Sequence, residues 1–363
     1  MTQPEAEVLR WMRESPDVRD DERFLRLALA LFAHQFAHCE PYRRFCEGRG
    51  RTPDTIQAWE EIPTVPTGAF KELRLASFPE ERTQHVFRTS GTATDQRGEL
   101  HLESLEAYEA SLVPSFERGL LPDLSDELAV RMLSLVPSPI EAPDSSLSHM
   151  LGVMHDRRGD SESQFFVEDG ELRERSIQSA LEAAAAATTP LLLCGTAFAF
   201  VHLLDAMAAS DQSFVLPASA RIMETGGFKG RARAMDRDAL YEWITDRLGV
   251  PSERIVNQYG MTELASQFYD TILSQPGEPR QKRIPPWVRV RMVDPESGDE
   301  VANGEVGVIR IVDLANTGSI LAIQTADLGM MRGDGFEVLG RARGAEARGC
   351  SIAADEMLSA ARS

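Results

Sequence analysis

A chain of 363 residues, 42% hydrophobic and 26% charged, has material for about two domains, or one large domain with an appendage. That balance excludes a disordered, collagen-like or disulfide-stapled chain. With 38 Lys and Arg against 57 Asp and Glu, the net charge of −19 excludes coating DNA, RNA or an anionic membrane surface, but leaves room for one small anionic ligand at a local site.

The first residues, MTQPEAEVLRWMRESPD, lack the basic start and apolar run of a signal peptide, so a cytoplasmic location is expected. Residues 1–80 read as a helical and irregular region packed on the core. Within it Phe24, Leu27, Ala28, Leu31 and Phe32 recur at the spacing of one helix face. Pro63 and Pro66 then interrupt any helix, because each lacks a donor and restricts its neighbour. From about residue 85 strand-like runs alternate with helix-like ones. The strands are expected at His85–Arg88, Ala129–Val136, Pro190–Cys194, Ser219–Met223 and Arg254–Gln258. The helices are expected at Leu102–Phe116, Ile177–Ala187, Ala197–Ala209 and Arg237–Leu248. This alternation predicts an α/β core over 81–285 with a largely parallel sheet. The uncharged stretch Ala183–Leu204 is long enough to span a bilayer, but Pro190, Gly195 and His202 interrupt it. It reads better as a helix, a buried strand and a second helix from Thr196, with no membrane span. Beyond residue 285 the strands Val288–Val293, Val306–Asp313 and Ser319–Ile323, with Gly-containing turns, predict a small β subdomain over 286–340. A short tail, 341–363, carries a cysteine.

The four cysteines, Cys39, Cys46, Cys194 and Cys350, form no C-x-x-C pair and have no His pair at zinc spacing. A reduced compartment leaves them as thiols. Cys39, Cys46 and Cys194 are expected to be packed. His149 and His155 fall in a Met- and Leu-containing loop that either borders a pocket or holds surface or satisfied core histidines.

Five short motifs carry candidate chemistry. Arg88-Thr89-Ser90-Gly91-Thr92-Ala93-Thr94 reads as a strand–loop–helix turn whose hydroxyls and backbone N–H groups either wrap an anion or make an ordinary loop. Glu224-Thr225-Gly226-Gly227 ends another strand, where ligands of open α/β sheets bind, or is a tight turn. In Gln258-Tyr259-Gly260-Met261-Thr262-Glu263 the tyrosine can stack on a base, the threonine meet a phosphate and the glutamate hold Mg²⁺; alternatively Thr262 or Glu263 caps a helix. In Thr325-Ala326-Asp327-Leu328-Gly329 the carboxylate can accept from both ribose hydroxyls, and Arg341 in Leu339-Gly340-Arg341-Ala342-Arg343 can grip ribose or phosphate.

The order and spacing of these motifs resemble the adenylate-forming superfamily. RTSGTAT resembles its phosphate loop, QYGMTE its Y-G-x-T-E motif, QTADLG its T-G-D motif and LGRARG its hinge motif. Within it the chain is most similar to the acyl-protein synthetases of bacterial bioluminescence operons, through IPTVPTGAFKE, SSLSHM, CGTAFAF, ETGGFKGR and LGRARGAEARGCSIAADE. The resemblance implies an adenylate-forming large domain with mainly parallel sheets flanked by helices, plus the small β subdomain. It also implies ATP as substrate with Mg²⁺. Thr89, Ser90, Gly91 and Thr92 would cradle the β- and γ-phosphates. Gly226 and Gly227 would lie on adenine, with Tyr259 stacked on it. Thr262 would touch the α-phosphate, Glu263 would hold Mg²⁺, and Asp327 the ribose with Arg341 beside it. The lysine that usually follows the phosphate loop is missing, and Arg97 is its candidate substitute. The chain ends soon after Cys350, so the C-terminal lid domain and its lysine are expected to be absent or vestigial.

Cys350 is the candidate acyl acceptor, or else a cysteine of no consequence. Arg341, Arg343 and Arg348 favour its thiolate, and Gly340, Gly344 and Gly349 allow movement. The expected activity is ATP-dependent activation of a carboxylic acid, fatty by resemblance, as acyl-adenylate, with transfer to a protein thiol. Residues 24–37 and 145–155 are expected to supply apolar side chains for the acid. An acyl-CoA or acyl reductase, or a carrier protein, is the implied partner, and no nucleic acid is. Two alternatives stand beside this: an aryl or short-chain acid ligase acting on CoA or a carrier protein, and a non-catalytic nucleotide-binding partner of a reductase.

Overall fold

The computed structural model describes residues 2–90, 96–226, 236–342 and 357–359. The chain divides into two compact units. One comprises Phe116–Gly260 and Tyr269–Gln281; the other comprises Met1–Ser115, Met261–Phe268 and Lys282–Ser363.

The unit built on Phe116–Gly260 is organised by a parallel sheet. Ile255–Tyr259, Arg221–Thr225, Leu191–Thr196, Arg131–Pro137 and Gln164–Glu168 lie side by side in that order, all parallel. Glu171–Leu172 adds a short antiparallel edge. Strands covered on both faces need continuous apolar runs, and Leu191, Leu192, Leu193 and Cys194 are fully buried. Helices Glu174–Ala185, Ala197–Ala209 and Arg237–Leu248 add Ile177, Leu181, Phe200, Leu204 and Ile244 to the same core as Leu193 and Ile222. The Thr196 side chain caps Ala197–Ala209 by accepting from Ala199 N at 3.1 Å. Gly249, at φ +66°, ends Arg237–Leu248 in the left-handed conformation that glycine tolerates. The stretch 183–204 thus divides into helix, buried strand and helix as expected, and no helix among the described residues is long and apolar enough to cross a membrane.

One segment corrects the sequence reading. Residues 145–155, expected as a loop, lie largely in the helix Ser146–Arg158. Ser145 caps it, accepting from Ser148 N at 3.2 Å, and Met150, Leu151 and Met154 form its buried face. His155 is a satisfied core histidine. Its Nε2 lies 3.0 Å from Ser134 Oγ and its ring stacks on Phe165.

The other unit joins N-terminal helices to an antiparallel sheet. In Asp21–His38 the predicted face is buried, with Phe24, Leu27, Ala28, Leu31 and Phe32 all at 0% exposure. These five side chains are spent on the core, which removes them from the expected wall of an acid pocket. The sheet runs Lys282–Arg283, Gly335–Arg341, Ala322–Arg332, Val306–Asp313 and Val288–Val293, each antiparallel to its neighbour. Val65–Pro66 joins Ala322–Arg332 in parallel, beside the prolines that stop the helices. A separate hairpin pairs His85–Arg88 with Glu99–Leu102.

Candidate functional site

The hairpin positions the first motif. Thr89 and Gly98 extend its ladder, with Thr89 N donating to Gly98 O at 2.9 Å and Gly98 N to Thr89 Oγ1 at 2.8 Å. The turn therefore links two strands. The expectation of a strand–loop–helix turn is overturned because, among the described residues, Glu99–Leu102 pairs back on His85–Arg88 ahead of the helix Glu106–Leu120. Ser90 is exposed and Thr89 half-buried. Gly91 and Thr92 lie outside the described residues. Arg97, the candidate substitute for lysine, braces the base of the loop: its Nε donates to Thr89 O at 2.6 Å and its Nη2 to Arg88 O at 3.3 Å. A cavity of about 450 Å³ beside it is lined by Lys71, Arg74, Arg88 and Arg97 together with Glu72, Glu99 and His101, and Arg88 is paired with Glu99 at 2.8 Å. Four cationic side chains thus stand against two carboxylates.

The sheet of the same unit positions Asp327 and Arg341. They face each other across Ala322–Arg332 and Gly335–Arg341, and Arg341 Nε lies 3.1 Å from Asp327 Oδ1. Asp327 N donates to Thr325 Oγ1 at 3.1 Å, which fixes the turn of the backbone into the carboxylate. The strand expected to stop at Ile323 runs on through Asp327 to Arg332. Asp327 is thus held on a paired strand, a firmer mount than a loop.

Thr262 and Glu263 are buried, at 9% and 7% exposure. No helix starts there, so the alternative in which either residue caps a helix is excluded. The backbone is held instead by side chains from the end of Val306–Asp313 and the turn that follows it. Asn316 Nδ2 donates to Glu263 O at 2.9 Å, and Asn316 Oδ1 accepts from Ala265 N at 2.7 Å. Asp313 accepts from Ser266 N and Ser266 Oγ, both at 2.8 Å. Trp287 Nε1 donates to Ser111 Oγ at 3.1 Å and Ser266 Oγ at 3.0 Å. None of Asp313, Asn316, Ser266 or Trp287 stands out in sequence.

Burial pushes the Asp313 carboxyl up to about 6, although Ser266 and Ala315 donate to it. Against an unfolded value of 3.8, the folded state holds this proton more tightly. The linked stability is fully present below about pH 4 and is lost as pH rises through about 6, by roughly 3 kcal/mol at most. Asp313→Asn has no such titration. Its stability relative to wild type, measured by denaturant unfolding, is expected to improve between pH 4 and 7. A difference independent of pH would refute this.

In the other unit, Gly226 follows Arg221–Thr225 and Tyr259 ends Ile255–Tyr259, at the carboxyl ends of two adjacent parallel strands, where open α/β sheets bind ligands. Thr225 Oγ1 ties these ends together by donating to Gln258 O at 3.0 Å. Behind them Glu224 Oε1 accepts from Tyr241 OH at 2.9 Å and Asn257 Nδ2 at 2.6 Å. Burial, then the Glu224 charge, hold the Tyr241 phenol well above its usual range, so it remains a donor. Gly226 has φ +76°, a conformation L side chains rarely adopt, and is exposed. Tyr259 is half-buried. Gly227 lies outside the described residues, as do Cys350, Arg343 and Arg348.

The family described as acyl-protein synthetase, LuxE, matches residues 12–359. The chain belongs to the LuxE acyl-protein synthetase family. As a member of this ligase family it is similar to the long-chain-fatty-acid–luciferin-component ligase of Aliivibrio fischeri, at 24% identity over 92% of this chain and 83% of that protein. It is also similar to the ligase of the same name from Vibrio harveyi, at 21% identity over 92% and 88%. Among solved structures, an open conformation of 2-hydroxyisobutyryl-CoA ligase superposes with a TM-score of 0.65, covering 88% of this chain and 69% of that one. At 15% identity that likeness shows the fold, that of an adenylate-forming ligase.

The three cysteines among the described residues are all buried. Burial pushes the Cys39 thiol up to about 11 and the Cys46 thiol up to about 12, and raises Cys194 as well. Buried thiols held protonated are poor nucleophiles. In this acyl-protein synthetase they are packing residues, as expected from sequence.

Proposed function

We propose that this acyl-protein synthetase activates a long-chain fatty acid with ATP and passes the acyl group to a protein thiol. The observation that carries the reading is Asp327 facing Arg341 across two strands, within a chain matched to the family over nearly its whole length. The curated relatives named as long-chain-fatty-acid ligases support the substrate class. The ribose hydroxyls would donate to Asp327. A carboxylate oxygen of the acid attacks the α-phosphorus. The bond from that phosphorus to the bridging oxygen breaks, and pyrophosphate leaves. A thiolate then attacks the acyl carbon and releases AMP. The acid is already ionised at neutral pH, so positioning and fixed donors suffice without a dedicated base. Cys350 is the proposed thiol, because the other three are buried and held protonated. A reductase or carrier protein would receive the acyl group.

Mg²⁺ would supply charge neutralisation on the phosphates. Mg²⁺ held by nucleotide phosphates needs only one or two protein carboxylates, the phosphate oxygens and water completing its shell. Glu263 is the proposed carboxylate.

Acid-dependent ATP–pyrophosphate exchange across acids of different length tests the reading. Maximal exchange with long-chain acids is expected. A preference for aryl or short-chain acids, or no acid-dependent exchange, would overturn it. Glu263→Gln is expected to slow exchange about 10- to 100-fold and to raise the Mg²⁺ requirement, since a charge-assisted contact is worth roughly 1.5–3 kcal/mol. An unchanged Mg²⁺ requirement would remove Glu263 from the metal.

A further inference from the structure

We propose that Asn316, backed by Asp313 and Gln35, is a positioning residue that holds the Thr262–Glu263 backbone in register for catalysis. The inference rests on the proposed function for the role of Glu263, and on the geometry alone for the clamp.

The segment after Glu263 has no secondary structure to hold it before Phe268–Tyr269. Local bonds pair Leu264 N with Met261 O and Ala265 O with Gln267 Nε2, while Glu263 O, Ala265 N and Ser266 N are paired by side chains from far along the chain. Asn316 makes two of its three side-chain hydrogen bonds here. Its Oδ1 accepts from Ala265 N at 2.7 Å, and its Nδ2 donates to Glu263 O and to Ile320 O, each at 2.9 Å. One planar amide therefore grips both sides of Leu264. Asp313 takes the next residue through Ser266 N and Ser266 Oγ. The helix Asp21–His38 supports the clamp from behind: Gln35 Nε2 donates to Asn316 O at 2.9 Å, and Gln35 Oε1 accepts from Leu321 N at 3.0 Å. Gln35 and Asp313 are at 0% exposure and Asn316 at 3%.

Burying three polar side chains costs stability unless every group is paired, and an apolar core would serve packing better. Here the paired atoms converge on the backbone beside Thr262 and Glu263. Such a clamp fixes backbone register more sharply than apolar contacts can, since hydrogen bonds weaken steeply with misalignment. A shift of about 1 Å at a reacting group can cost roughly 100-fold in rate. The clamp thus explains how a functional carboxylate can sit on a segment lacking regular structure.

The test uses Asn316→Ala and the isosteric Asn316→Asp, which keeps the acceptor for Ala265 N but loses both donors. Ser77→Ala serves as control. Ser77 Oγ bonds Gly318 O in the same loop without touching 263–266. Amide hydrogen–deuterium exchange is measured without nucleotide, well below each thermal midpoint. The peptide covering 261–268 is expected to exchange about tenfold faster in both Asn316 variants and unchanged in Ser77→Ala. In pyrophosphate exchange, the Asn316 variants should need about tenfold more Mg²⁺. Asn316→Ala added to Glu263→Gln should cost little beyond Glu263→Gln alone. Unchanged protection of 261–268 in either folded variant would overturn the clamp. Increased exchange there with an unaltered Mg²⁺ requirement would overturn its role in catalysis. If the wild type shows no acid-dependent pyrophosphate exchange, the proposed function fails, while the deuterium measurement still decides whether Asn316 holds the segment.

Discussion

Asp327→Ala is expected to bind ATP at least about 100-fold more weakly than wild type while keeping its fold. The carboxylate would accept from two ribose hydroxyls, each a charge-assisted bond worth roughly 1.5–3 kcal/mol. At about 1.4 kcal/mol per factor of ten, two such bonds span about 100- to 10,000-fold, and incomplete additivity favours the lower end. The fold survives for a separate reason. The Asp327 carboxylate is largely buried, but its partner Arg341 is more than half exposed, so the ion pair stays accessible to water and contributes modestly to stability. The strand is held by its ladder to Val306–Asp313 and Gly335–Arg341, which the substitution leaves intact. Asp327→Asn keeps one acceptor and should fall between the two. Calorimetric titration with ATP, alongside thermal unfolding, checks both halves. A folded Asp327→Ala protein with wild-type affinity would refute the ribose assignment.

Sequence and structure agree where local signals are strong. The helices Ala197–Ala209 and Arg237–Leu248 fall where expected, because Thr196 caps one and Gly249 ends the other. The strands Val288–Val293 and Val306–Asp313 also coincide, since their Val- and Ile-rich stretches are bounded by turn residues. Agreement fails where tertiary pairing overrides local preference. Asp327 and Gly329 are poor strand formers, yet pairing with Arg341 for the first, and with Gly307 and Val338 for the second, keeps them in Ala322–Arg332. Helix Ser146–Arg158 was illegible because Gly152, His149 and His155 dilute its apolar face. The clamp on Glu263 could not be read at all. Gln35 and Asn316 are 281 residues apart, and a buried polar side chain in an apolar stretch gives no local clue to its partner. For the site, the motifs supplied Asp327 and Arg341, which the fold places face to face. Their supporting residues came only from the structure.

Cys350→Ser is expected to separate the two half-reactions. None of the residues proposed to hold ATP uses this thiol, so acid-dependent pyrophosphate exchange should remain near wild type. Covalent acyl-protein should vanish: radiolabelled acid would no longer survive denaturation on the chain, and no hydroxylamine-labile adduct would form. Serine is the informative replacement, because it nearly keeps the size but removes the readily ionised, strongly nucleophilic sulfur. The remaining thiols give no alternative route. Cys39, Cys46 and Cys194 are each at most 1% exposed, and burial raises the pKa of all three. In sequence, Cys350 follows Arg341, Arg343 and Arg348, whose positive charge favours thiolate. If the wild type never becomes labelled, or if Cys350→Ser labels normally, the intramolecular thioester is wrong. The acyl-adenylate would then pass directly to a nucleophile on another molecule, and adding CoA, a carrier protein or an amine to the exchange reaction would identify which.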